Sequence, residues 1–174
     1  MTVDPADKPR NETEHERLDR QLVELLQGFR VAVTGVQVLF AFLLTVPFSA
    51  GFDKVDGAGT PLFYIALFGA ALASICFIAP VFHHRILFRL GQKPLLIRRA
   101  NMFGIIGAFA LMASMASATT LIVESLSEAP TWTIITAVVL VALCSYVWFI
   151  QPYMTRLKAN RPPRRPAGTD ATPQ

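Results

Sequence analysis

The chain has 174 residues, of which 53% are hydrophobic and only 16% charged. A soluble domain of this size carries about 25% charge, so an ordinary soluble fold is excluded once the apolar residues prove to fall in long runs. The formal charge of +4 and pI near 9.4 would suit a nucleic-acid binder, but the basic residues cluster at the ends of the apolar runs, which points to a membrane and away from nucleic acid.

Residues 1–11 mix charge with two prolines and predict a disordered N-terminus. Residues 12–30 predict an amphipathic cytoplasmic helix. "TEHE" (residues 13–16) fits a capping box, with Thr13 as cap and Glu16 three residues on. Leu18, Leu22, Leu25, Leu26 and Phe29 share one helical face, while Arg17, Arg20 and Glu24 lie off it. That apolar face suits a membrane surface or a partner helix. The matching apolar surface of the chain's own cytoplasmic loop favours packing within the protein. Gly28 stands where this helix meets the membrane, as a hinge or as a tolerated defect.

A four-span transmembrane domain is predicted over 31–155. Its four uncharged runs are 31–52, 62–82, 102–123 and 132–150. At about 1.5 Å per residue each crosses a hydrocarbon core of about 30 Å, and backbone satisfied within the segment means helix. Five Lys or Arg precede residue 31, Lys54 alone separates the first two runs, five separate the second and third, none separates the last two, and five follow residue 150. Basic residues near span ends mark the cytoplasmic side. Four spans with both termini inside the cell (plasma or inner) membrane place all but Lys54 there. The polar opening thirty residues do not read as a secretory signal, and "PFSAGF" (47–52) reads as the small-residue exit of an uncleaved helix.

The outer side is sparse. "DKVDGAG" (53–59) reads as a short polar turn, with Thr60 as a helix cap and Pro61 at the first helical position. "SLSEAPT" (125–131) is the second outer loop, with Pro130 opening the last helix. Tyr64 and Trp132 at outer ends, and Trp148 and Tyr153 at inner ends, fit an interfacial aromatic belt. Pro47 and Pro80 fall near span ends, where a kink is least costly.

"FHHRILFRLGQKPLLIRR" (82–99) contains a cytoplasmic helical hairpin over 83–99. The second helix continues to Leu90, Gly91 ends it as a left-handed cap, and Pro94 opens the next helix. Ile86, Leu87, Leu90, Leu95 and Leu96 give the hairpin apolar surface, which the 18–29 face is placed to cover. His83, His84, Arg85, Arg89, Lys93, Arg98 and Arg99 form a cytoplasmic anchor at the level of anionic lipid headgroups. Adjacent histidines point about 100° apart on a helix and do not converge on one metal. A grouping of Cys76, Cys144 and His83 lacks a fourth ligand, so no metal is expected. The basic, proline-rich tail at 156–174 predicts disorder, with its charge serving topology or lipid contact.

Ionisable groups are nearly absent from the spans. Thr34, Gln37, Ala41 and Thr45 share one face of the first, and Ser114, Ser117, Thr120 and Glu124 share one face of the third. Such groups commonly hydrogen-bond between helices. The other reading is a polar path lined by Thr34, Gln37, Ser114, Ser117 and Thr120, with Glu124 at its mouth. Small residues recur every four positions at Ala66, Ala70 and Ser74, with Gly69 and Ala73 beside them, and at Ala110, Ser114 and Ala118. They predict close helix contact within one bundle or between subunits, two readings that remain open here. No nucleophile elbow, phosphate loop, zinc motif or paired-cysteine motif is present, so neither enzymatic activity nor a cofactor is expected.

"ERLDRQLVELLQGFRVAVTGVQVLFAFLLTVPFSAGF" (16–52) and "PVFHHRILFRLGQKPLLIRRAN" (80–101) resemble the two signatures of a bacterial, mostly actinobacterial, family of small four-span membrane proteins, domain of unknown function 6328. With the span spacing, the resemblance covers roughly 12–156. It implies four spans and brings no established activity, although some members are labelled sodium:proton antiporters. Cation–proton exchange needs a carboxylate within the membrane, and none lies mid-span. Small four-helix drug exporters are similar in span number but carry a Glu in the first span, where this chain has Gln37.

The expectation is therefore an all-α integral membrane four-helix bundle with an N-terminal amphipathic cytoplasmic helix. Its biochemical activity is unassigned. A non-enzymatic packing and interaction protein leads, with a small cation or proton transporter as the alternative. Its expected partners are the bilayer, anionic lipid headgroups and, in a homo-oligomer, further copies of itself.

Overall fold

A computed structural model describes residues 13–52, 55, 57, 59–87, 93–127 and 129–159. Among them all regular structure is helical. Four helical lengths, Glu16–Phe48, Gly59–Ile86, Pro94–Leu126 and Pro130–Ala159, are long and apolar enough to cross a membrane. The chain is thus a multi-pass membrane protein by helix length and composition. The expected N-terminal disorder, the Gly91 cap, Leu90, Arg89 and the tail beyond residue 159 lie outside the described residues.

The first helix, α1 (Glu14–Thr45), opens on the expected capping box. The Thr13 hydroxyl accepts from the Glu16 amide at 3.4 Å, and the Glu16 carboxylate accepts from the Thr13 amide at 2.9 Å. Two of the orphan amides of a helix N-terminus are thereby satisfied. The helix then runs 32 residues, about 48 Å, straight through Gly28. There is no break between an amphipathic segment and a spanning one, so the hinge reading of Gly28 gives way to a continuous rod. Leu22, Phe29, Val36 and Leu43 are buried at every seventh position, and Leu18, Leu25, Ala32, Leu39 and Val46 are half-buried beside them. One heptad seam therefore serves both the polar and the apolar half of the helix.

The end of α1 comes earlier than the 31–52 run suggests. Pro47 has no amide to continue the ladder, and the chain tightens into a 3₁₀ turn at Val46–Phe48. The Thr45 hydroxyl donates to the Phe42 carbonyl at 2.7 Å, and the Ser49 hydroxyl donates to the Val46 carbonyl at 2.7 Å. Phe52 then folds back, its ring edge-on to Phe63 at 5.0 Å.

The second helix, α2 (Gly59–Leu87), starts one residue before Thr60, so Thr60 and Pro61 lie in its first turn and Thr60 is not its cap. The Thr60 hydroxyl instead donates to the Val55 carbonyl at 3.3 Å. Pro80 sits fully buried inside α2, which passes through it. The third helix, α3, covers Lys93–Leu126. The fourth, α4 (Pro130–Ser145), has Pro130 at its first position, as expected, and continues through a π turn at Tyr146–Ile150 into α5 (Gln151–Ala159).

Packing within this four-helix bundle is uneven. The central pair is α2 and α3; α1 lies mainly on α2 and α4 packs on α3. No residue of α4 is buried. One core cluster joins Phe29 and Val36 of α1 to Ala73 and Phe77 of α2 and to Ala100 and Ala110 of α3; a second joins Leu43 to Ala66 and Ala70. The apolar face of the first helix thus packs on the protein itself. Of the hairpin's apolar residues, Leu96 is buried, whereas Ile86 and Leu95 remain exposed.

Gly69 shows how tight the central pair is. A Cβ there would lie 2.9 Å from the Ala110 carbonyl oxygen and 3.1 Å from the Ser114 Cβ. Gly69→Ala is therefore expected to destabilise the protein by roughly 1–3 kcal/mol in a detergent unfolding titration, as overpacking does. Gly35, with nothing within 4 Å of the same position, provides the contrast: Gly35→Ala is expected to leave the midpoint unchanged or raise it by up to about 1 kcal/mol.

Candidate functional site

The polar stripe Ser114, Ser117 and Thr120 of α3 points inward. Ser114 is completely buried, Ser117 and Thr120 are buried, and Glu124 is half-buried. The Ser114 hydroxyl donates to the Ala66 carbonyl of α2 at 2.6 Å. Only small neighbours permit that approach: Ala66, Ala70 and Ala73 are fully buried against α3. The small-residue rows thus meet each other inside one chain. Thr120 Oγ1 is buried without a hydrogen-bond partner among the described residues. Glu124 reaches the start of α2, where a Cβ on Gly59 would lie 3.0 Å from its Oε2. A carboxylate at a helix N-terminus opposes the positive end of the helix dipole.

The polar residues of α1 point the other way. Thr34 and Gln37 are exposed on the outer flank, together with Ala41 and Thr45. The Thr34 hydroxyl donates to the Arg30 carbonyl of its own helix at 3.0 Å. Gln37 follows Val36, which packs against Ala73 and Ala110. Those two alanines stand at the middles of α2 and α3, so Gln37 sits level with the middle of the central helix pair. The fold does not bring Thr34 and Gln37 together with Ser114, Ser117, Thr120 and Glu124 along one continuous lining.

At the opposite end of the bundle, His83 Nδ1 lies 2.7 Å from the Ala79 carbonyl, which can only accept, so that nitrogen carries the proton. Its ring lies 5.3 Å from that of Phe103. His84 is half-buried, whereas Arg85, Arg98 and Arg99 are exposed, and Lys93 begins α3. Cys76 and Cys144 are free thiols, the first buried. Among the described residues no three His, Cys, Asp or Glu come together.

Sequence reasoning missed a groove of about 620 Å³ between α1, α3 and the α4–α5 helix. Its floor is small, at Ala32, Gly104 and Ala108, and its far wall is aromatic, at Trp148 and Phe149. Phe149 stacks on Phe109 at 4.1 Å with the rings 9° from parallel. The π turn underlies that wall. Pro152 has no amide to offer residue 148, and the Gln151 amide bonds back five residues to the Tyr146 carbonyl. The available signal was Pro152 behind the aromatic run "YVWF" (146–149).

Ser114→Ala is expected to cost roughly 0.6–1.7 kcal/mol in the same unfolding titration, the range for interhelical hydrogen bonds in membranes. Thr120→Val, which removes an unpartnered hydroxyl, is expected to be neutral or stabilising.

Neither the curated proteins nor the solved structures contain a match to this chain. A family model, described as a family of unknown function, matches residues 11–152. That match spans α1 to α4 and the π turn, and the chain belongs to this family of unknown function (DUF6328).

Proposed function

We propose that the protein is a non-enzymatic packing and interaction protein of the cell membrane, which associates with further copies of itself through the outer flank of α1. The observation that carries this is Gln37. It is exposed, level with the middles of α2 and α3, and makes no hydrogen bond to any described residue; with the four helices spanning a membrane, that level is mid-depth. A primary amide facing hydrocarbon costs roughly 2–7 kcal/mol unless it is paired. An amide is both donor and acceptor, so Gln37 of two copies can satisfy each other across a twofold axis, where like meets like. Thr34 and Ala41 flank it with small side chains that permit close approach. In this reading both termini and the 83–99 hairpin face the cytoplasm, because the basic residues concentrate there.

A second reading, a small cation or proton transporter, draws on one feature. Thr120, buried and unpartnered, lies one turn from Glu124 on α3. The two would form a short polar pocket at the outer end.

Self-association in liposomes, read by energy transfer between labelled copies, is expected to weaken roughly tenfold in Gln37→Leu and to survive in Gln37→Asn, in line with about 1–2 kcal/mol for such a contact. A protein that is monomeric throughout, or a Gln37→Leu variant that associates like the parent, would refute the proposal. For the orientation, a single cysteine at Ser127 should react with an impermeant maleimide in intact cells, and one at Gln92 only after permeabilisation; the reverse labelling overturns it. Ion flux in proteoliposomes that Glu124→Gln abolishes would favour the transporter instead.

A further inference from the structure

The groove between α1, α3 and the α4–α5 helix exists because α1 and α4 flank α3 without packing closely on each other. At about 620 Å³ it lies within the roughly 300–1,000 Å³ of small-molecule sites. Its inner part is apolar: Phe29 overhangs Gly104, where a Cβ would lie 3.1 Å from the ring, and Ala32 and Ala108 leave the floor low. Its outer part is polar, at Asn101, Tyr153 and Arg156. A second groove of about 520 Å³ shares Asn101 and Ile105 with it and is rimmed by Arg98 and Arg99. No acidic residue lines either groove. Arg98, Arg99 and Arg156 make no ion pair with any described residue. The result is an apolar trough with one guanidinium, Arg156, at its polar end, beside the second groove that carries Arg98 and Arg99.

We propose that this trough is a binding site for one anionic phospholipid, with an acyl chain over Gly104 and Ala108 and the phosphodiester at Arg156, and with Arg98 and Arg99 of the adjoining groove adding positive charge to that end. The chemistry of the rim selects the occupant. Guanidinium groups take phosphate oxygens in pairs, and a basic pocket between membrane helices at the headgroup level matches an anionic lipid. Tyr153 and Trp148 place amphipathic rings at the same level. The apolar floor requires a tail, which distinguishes a lipid from free phosphate. The site rests on the membrane reading of the four helices and lies on the flank of α1 away from Gln37, so it is independent of self-association.

The test uses the full chain, delipidated in detergent, in native mass spectrometry with three probes: phosphatidylglycerol, phosphatidylcholine and glycerol 3-phosphate. One phosphatidylglycerol is expected to be retained at a concentration at least about tenfold lower than phosphatidylcholine, and glycerol 3-phosphate is expected not to bind. Ala108→Phe, which fills the floor, is expected to abolish retention of the anionic lipid, and Arg156→Gln to narrow the preference between the lipids to about threefold or less. Should Ala108→Phe lose its helical signal, Ala32→Leu obstructs the trough from the α1 side. Equal retention of both lipids, binding of glycerol 3-phosphate alone, or unchanged retention in a folded floor variant overturns the site. Release of the protein from membranes by alkaline carbonate would overturn the membrane reading instead, a distinct result.

Discussion

The close approach of α2 and α3 determines where everything else can go. Ala66, Gly69, Ala70 and Ala73 meet Ala110 and Ser114 with so little between them that a serine hydroxyl reaches a carbonyl of the facing helix at 2.6 Å. In lipid there is no hydrophobic gain from joining two apolar helices, so contact of this kind relies on dispersion and on such hydrogen bonds. With those faces committed to each other, α1 takes a side of α2 and α4 a side of α3. Gly107 extends the constraint: a Cβ there would lie 2.5 Å from the Phe77 ring. That aromatic side chain fills the space that glycine leaves and carries the contact on to Phe29 at 6.0 Å.

Much of this was legible in the residues, for reasons that differ by element. The four spans follow from uninterrupted apolar length, which lipid enforces without help from tertiary structure. The Thr13–Glu16 cap was legible because it is local. The face formed by Leu18, Leu22, Leu25, Leu26 and Phe29 was legible from period alone, and the structure continues it to Val46 in the same seam. Inside the membrane that seam is hidden from a pattern reading, since apolar residues surround it on every side. Hydropathy contrast, the signal that reveals an amphipathic face, vanishes where the solvent is itself apolar.

The polar residues show the same limit from the other direction. Gln37 and Ser114 look alike in sequence, each a neutral polar group in an apolar run. One points out of the bundle and the other into its tightest contact. The difference depends on which small residues face which helix, and periodicity does not encode that pairing. The small-residue rows fit contact between subunits and contact within one chain equally well by spacing, and the Ser114 bond to Ala66 sets them against each other within one chain. Pro152 by itself gives no sign of the π turn in the sequence, because a proline near a span end fits a simple terminator, whereas here the helix continues to Ala159.

The π turn at Tyr146–Ile150 changes the phase of everything beyond it. One additional residue in the turn sets each later side chain back by about 100° around the axis, compared with an unbroken α-helix. Arg156 therefore looks toward the trough because Pro152, four residues earlier, withholds an amide. The azimuth of a charge on this helix thus depends on a turn that closes five residues back, at Tyr146, beside a residue with no amide hydrogen to give.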